Sequence, residues 1–257
     1  MTKKLKVGAR VVGRMTIPDH QRVVLDHVRL QGEDYSGREF FQFCTIGSRL
    51  ERCRFDDTRI KSAQFGSGRE TSEFIECSFD RASMDMGPGG FARFVDCSFR
   101  NVKIHNWICF KVELVRCTFS GRIERAIFNG TVPEADRPFA RRDRNEFHDN
   151  DFSEADLVDV GFRSGIDLTR QRLPSGPDYL FLPDGAAAIE RLRGGLKNWS
   201  GNDSSCQTAQ AILKGLEMKF QKGQRQFFLR ESDNYRYLTM SRDAVEKVFA
   251  LLRGEAG

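Results

Sequence analysis

Large apolar side chains recur along this chain every five residues. Leu25, Leu30, Tyr35, Phe40, Leu50, Phe55, Ile60 and Phe65 make a first run; Phe74, Phe79, Met84, Phe94, Phe99, Ile104, Cys109, Leu114 and Phe119, four residues out of phase, make a second. Phe147, Phe152, Leu157 and Phe162 make a third. Of the 24 positions on these phases all but Thr45, Gly89 and Asp167 are apolar, where a 39% hydrophobic composition would place about 9. Two residues before many of them stands a small or narrow side chain: Cys53, Thr58, Ala63, Ser72, Cys77, Ala82, Ala92, Cys97, Val102, Cys117 and Ala155. A longer period of 20 lies over this one, in Cys77-Ser78-Phe79, Cys97-Ser98-Phe99 and Cys117-Thr118-Phe119. A period of five is neither the 3.6 of a helix nor the 2 of a strand. It suits a solenoid with four short sides per coil, each contributing one large and one small inward side chain, whose coils stack through backbone hydrogen bonds.

These residues resemble the pentapeptide-repeat proteins, whose repeat reads Ala-(Asp/Asn)-Leu-x-x. Ala155-Asp156-Leu157-Val158-Asp159 matches that pattern, and the Cys-x-Phe triplets are similar to a common variant of it. The resemblance covers roughly residues 23–168 and implies a mainly β fold, a right-handed quadrilateral parallel β-helix. Pro133, Pro138 and the 28 residues between Phe119 and Phe147 predict a loop at 129–144 protruding from the coils.

After Leu168 the rhythm stops, and Pro174, Gly176, Pro177 and Pro183 mark a linker or wrapping segment over 169–183. A helical period then takes over in 184–257. Asp184 caps a helix bearing Ile189, Leu192 and Leu196; Ala209, Ile212, Leu213, Leu216 and Phe220 form the stripe of a longer one; Ser241 caps a last helix with Val245, Val248, Phe249 and Leu252. Phe227 to Leu238 reads either as a hairpin or as a frayed helix extension. The expected organisation is an amino-terminal cap segment at 1–22, the β-helix at 23–168, the linker at 169–183 and a small α-helical domain at 184–257.

Composition narrows the function classes. No window approaches the roughly 18 apolar residues of a membrane helix, and Met1 to Ile17 lack a signal-peptide core, so a cytoplasmic protein is expected, and the resemblance implies a bacterial one. The cysteines of the repeat region fall at coil spacing and are expected to be core residues, not metal ligands, and the odd total of seven is expected to be reduced, not a disulfide framework. His20, His27, His105 and His148 share no metal-ligand spacing, and the His148-Asp149 pair opens a regular repeat. Gly87-Pro88-Gly89-Gly90 lacks the lysine of a phosphate loop and reads as a corner or bulge. No nucleophile, base and orienter come together, so no enzyme activity, cofactor or metal is expected.

The expected function is a non-catalytic protein-binding scaffold. Some pentapeptide-repeat proteins resemble duplex DNA and bind type II topoisomerases such as gyrase, which implies an alternative role as an antibiotic-resistance or self-immunity factor. That mimicry needs acidic rows, yet residues 1–180 hold 29 basic and 27 acidic side chains and residues 181–257 hold 12 and 9. Down one side the charges run Arg29, Arg49, Glu73, Arg93, Glu113, alternating in sign over the second half. The basic excess, with Lys214, Lys219, Lys222 and Arg225, makes nucleic-acid binding a second alternative, though no base-reading motif accompanies it. Two surfaces are candidates for a partner. Ile75, Val95 and Val115 should stack outward as an apolar stripe, covered by the chain, a partner or a second copy in a homodimer. Arg141, Arg142 and Arg144 in the loop should meet an acidic partner.

Overall fold

The computed structural model describes residues 3–5, 21–197, 199, 203–235 and 241–254. Of the expected cap at 1–22, His20 and most of the rest lie outside the described residues; Lys3–Leu5 form a strand parallel to Val23–Leu25. Two compact units follow from the chain's contacts. One runs to Gly161 and includes Arg170–Pro174; the other takes Phe162–Thr169 with the residues from Ser175 onward.

The first unit is a parallel β-solenoid of about five turns. Its register converts the five-residue rhythm into four inward rows. On the first side Leu25 lies beside Thr45, and Cys109 beside Phe128. On the second the row is Leu30, Leu50, Phe74, Phe94, Leu114, Phe147. The fourth side carries Phe40, Ile60, Met84, Ile104 and Ile123. The third is aromatic from end to end: Tyr35, Phe55, Phe79, Phe99, Phe119 and Phe152 stack with ring centroids 4.5–4.9 Å apart and planes within 14° of parallel. Each such pair contributes about 0.5–1.5 kcal/mol beyond its buried area.

Two of the three gaps in the rhythm are filled by a large side chain at a narrow position, in the same coil for Thr45 and from the next coil for Gly89. Where Thr45 replaces a large central residue, the narrow position two residues earlier holds Phe43, fully buried and edge-on to Tyr35 and Phe55 at 5.3 and 5.2 Å. Trp107, likewise buried, stands two residues before Cys109 and closes on Gly89, whose Cβ, were it present, would lie 3.7 Å from the indole nitrogen. A third irregularity is a deletion within the five-residue rhythm. Phe99 pairs with Phe119 but Ile104 with Ile123, so one residue is missing between them and the inward series continues through Ile123 to Phe128. The deletion falls at Gly121, where φ is +84° and any Cβ would stand 2.5 Å from the Val102 carbonyl oxygen; glycine alone fits.

Narrow inward positions also satisfy the backbone. The Cys77, Cys97 and Cys117 thiols donate to the carbonyls of Leu50, Phe74 and Phe94 in the preceding coil at 3.3–3.5 Å. The Asn150 and Gln171 side-chain amides do the same for Leu114 and Phe147 at 2.9 and 3.0 Å. A thiol is a weak donor, and the amides take over where the coil stack ends in a tighter polar knot. Cys44, Cys53, Cys77, Cys97, Cys109 and Cys117 are buried and form no disulfide, and burial pushes the Cys97 and Cys109 thiols up, keeping them protonated.

Corners come two residues after the central position. His27, Arg52, Asp57, Glu76, Arg81, Asp96, Asn101, Asn106, Arg116, Arg125, Asp149 and Asp159 all have φ between 50° and 58° or, for Arg81, 60°. A non-glycine residue there costs about 1 kcal/mol or more. Hydrogen bonding to the adjoining coil offsets that strain.

In the second unit Asp184 caps the helix Gly185–Lys197 (α2, after the short α1, Arg137–Ala140) by accepting the Ala187 N–H at 3.0 Å. Helices Asp203–Gln221 (α3) and Arg242–Arg253 (α5) close on it, and the apolar stripes read in the sequence form one core: Ile189, Leu192, Ala209, Leu216, Val245, Val248, Phe249 and Leu252. The segment from Phe227 becomes neither of the expected forms. Phe227–Arg230 pairs antiparallel with Tyr179–Leu182, inside the stretch read as linker, and Glu231–Asn234 (α4) follows; residues 236–240 lie outside the described residues. Buried Gln224 explains why 162–169 belong to this unit: its Oε1 accepts the N–H of Gly165 and Ile166 and its Nε2 donates to the Ile166 carbonyl.

The exchange of volume predicts a rescue. Phe43→Ala should cost about 3–5 kcal/mol in urea unfolding, and adding Thr45→Phe should recover part of it despite losing the Thr45 hydroxyl that accepts the Gly66 N–H. A double variant less stable than Phe43→Ala would refute the compensation.

Candidate interaction surface

The outward rows of the coils are stacked by the same register as the core. On the second side Arg49 pairs with Glu73 at 2.6 Å, Arg93 reaches Glu146 at 2.5 Å and Glu113 meets Arg142 at 3.1 Å. Two corner rows pair likewise: after the second side Arg52 with Glu76, Asp96 with Arg116 and Asp149 with Arg170, and after the third Asp57 with Arg81. The two-pronged guanidinium bonds hold the Asp57 and Asp96 carboxyls below the usual carboxylate range. On the third side the Ser78 and Ser98 hydroxyls donate to Asp56 and Asp80, which also accept the Asp80 and Arg100 N–H groups at 3.1 and 2.9 Å. The fourth carries Arg59 with Glu39 and Arg122 with Asp156. Exposed pairs of this kind contribute little stability one by one. Together they occupy the carboxylates that a DNA-like face would present.

Non-repeat chain gathers along the corner between the first and second sides. Residues 66–71 are the insertion that shifts the rhythm by four. They are tied down by Glu70, whose Oε2 lies 3.1 Å from His27 Nε2, while His27 Nδ1 lies 2.5 Å from Asp26. Phe91 donates its N–H to the Gly66 carbonyl at 2.7 Å, and its ring forms a small buried cluster with Val132 and Ala140 of the loop. Lys111 sits 4.7 Å above the Phe91 ring and 3.5 Å from Asp136. Arg69 lies 4.3 Å over the Phe139 ring, joining the insertion to α1. Phe110 and Phe139 are 43% and 37% exposed on this corner.

The residues singled out from sequence fall differently. Ile75, Val95 and Val115 do stack in one outward row, with register Ile75↔Val95↔Val115, but the first two are half-buried and Val115 is 2% exposed. Arg142 turns inward: besides Glu113 it donates to the Lys111 carbonyl at 2.9 Å, and burial lowers its pKa. Arg141 and Arg144 stay exposed, Arg144 with partners of its own. The loop therefore folds back on the coils instead of standing free. Arg69, Phe110 and Phe139 were missed; the phase slip after Phe65 marks the insertion, but nothing in the sequence links it to the loop 70 residues on.

No helix among the described residues is long and apolar enough to cross a membrane, and no group of three His, Cys, Asp or Glu among them is placed to hold a metal. No family model and no curated protein sequence matches the chain. Solved structures similar to it include two trypsin-treated variants of QnrB1, a plasmid-mediated fluoroquinolone resistance protein. The first has 16% identity over 60% of this chain and 79% of that one, with a TM-score of 0.26. For the second the values are 16%, 61%, 79% and 0.23. The parallel solenoid is the fold that the resemblance to pentapeptide-repeat proteins implies, and the helices after it are those that the apolar stripes of 184–257 predict.

Two measurements probe the corner. Hydrogen bonds to Asp26 and then Glu70 raise the His27 pKa above the ordinary 6.5, so the clasp on residues 66–71 is complete below pH 6.5 and lost as pH rises through the raised value. NMR titration should place His27 above 6.5 and show Glu70→Gln lowering it; no change would refute the clasp. Arg142→Ala should cost about 3 kcal/mol by stranding buried Glu113, and Arg142→Ala/Glu113→Gln should recover part of that in urea unfolding.

Proposed function

We propose that this chain is a non-catalytic protein-binding scaffold. One observation carries the reading: the coil faces are largely neutralised by cross-coil pairs, whereas the exposed rings of Phe110 and Phe139 and several exposed arginines gather at the corner where the repeat is broken. Loops held on a rigid scaffold are the usual seat of recognition. The paired rows also speak against a DNA-like charge pattern, so the topoisomerase-binding role implied by the resemblance is the weaker reading.

The immobilised chain should retain a specific protein from native bacterial lysate, and the free chain should leave quinolone-poisoned gyrase supercoiling unrelieved. Retention of nothing overturns the scaffold reading. Relief of poisoned supercoiling replaces it with the topoisomerase role, and a salt-dependent shift of duplex DNA replaces it with nucleic-acid binding.

A further inference from the structure

We infer that the corner built from residues 66–71, Phe91, Phe110 and the loop 130–145 receives an acidic protein segment carrying an aromatic or aliphatic anchor. This deepens the scaffold reading and rests on it.

The corner's own charges are largely spent holding it together. Lys111 is engaged with Asp136, Arg142 with Glu113, and Glu70 with His27. What remains is asymmetric. Arg69, Arg137 and Arg141 are exposed and form no ion pair among the described residues, against exposed Glu134 and Asp143. Arg137 spends one N–H on the Val132 carbonyl at 3.3 Å, and Arg69 sits 4.3 Å over the Phe139 ring, leaving its guanidinium N–H groups available to a carboxylate.

Beside these cations stand Phe110 and Phe139, and aromatic rings with arginine are the side chains that dominate protein interfaces. They are also held in place. Phe139 precedes Ala140, which is buried against Phe91 and Val132; the Phe110 carbonyl accepts from Asn145 Nδ2 at 3.0 Å. A segment docking here meets side chains already ordered, which lowers the entropy cost of binding. Nucleic acid fits less well. A phosphate backbone asks for a longer run of cations, and Glu134 and Asp143 interrupt this one.

Fluorescence anisotropy with the full chain tests the assignment, using a labelled peptide that alternates Glu or Asp with Phe and Trp, its lysine-for-acid counterpart, the acidic peptide without aromatics, and a 20-mer single-stranded DNA. The acidic aromatic peptide should bind tightest. Arg69→Glu/Arg141→Glu should weaken it about tenfold or more, a loss of roughly 1.4 kcal/mol, as should Phe139→Ala. Phe41→Ala is the control: Phe41 is 50% exposed with Arg22 over its ring, but beside the Arg59–Glu39 pair on the fourth side, and its loss should change nothing. Equal binding of the lysine peptide, tighter binding of the DNA, or equal binding by the folded charge-reversal variant overturns the proposal. Lysate capture separates it from the broader reading. If Arg69→Glu/Arg141→Glu retains the same protein as the unaltered chain, this corner falls and the scaffold stands; if the unaltered chain retains nothing, the scaffold reading itself falls.

Discussion

The inter-coil backbone register is the constraint on which the first unit depends. With a corner every five residues, each side is too short to satisfy itself, so its N–H and C=O groups must be met by the coils on either face. That register stacks like upon like. It is favourable inside, where Tyr35 and the five phenylalanines of the third side lie face to face, and where thiols or side-chain amides answer the same carbonyl of the preceding coil. Local strain at the left-handed corners is tolerated because the stacked coils over-determine it.

Outside, the same geometry is a hazard, since identical charges would repeat at strand spacing. The chain answers by alternating sign from coil to coil. Arg49 with Glu73, Asp57 with Arg81 and Asp96 with Arg116 are one device repeated on different rows. A face closed in this way has little charge to offer a partner, which directs the proposed recognition to the segments that escape the repeat.

Besides the deletion at Gly121, irregularities of the coil are of two kinds. Phe43 beside Thr45 conserves the volume of a layer while changing which position supplies it, and Trp107 fills the space at Gly89 from the next coil, as a close-packed interior requires. Residues 66–71 and 130–145 add chain that has no place in a layer and must lie outside it. Their packing on one another, through Arg69 on Phe139 and through Phe91 with Val132 and Ala140, builds a surface that neither segment holds alone.

The five-residue period determined the inward rows, the cysteine ladder and the alternation of Arg49, Glu73, Arg93 and Glu113, because in a solenoid sequence spacing is spatial spacing. The helical stripes of 184–257 were legible for the same reason: their partners recur within a few residues. Tertiary structure decided what depends on distant segments meeting. It turned Arg142 inward onto Glu113, buried Val115 within an otherwise half-covered row, drew Tyr179–Leu182 out of an apparent linker to pair with Phe227–Arg230, and set Arg69 on Phe139. No period links those residues, so only the folded chain, where packing and desolvation choose among the partners within reach, brings them together.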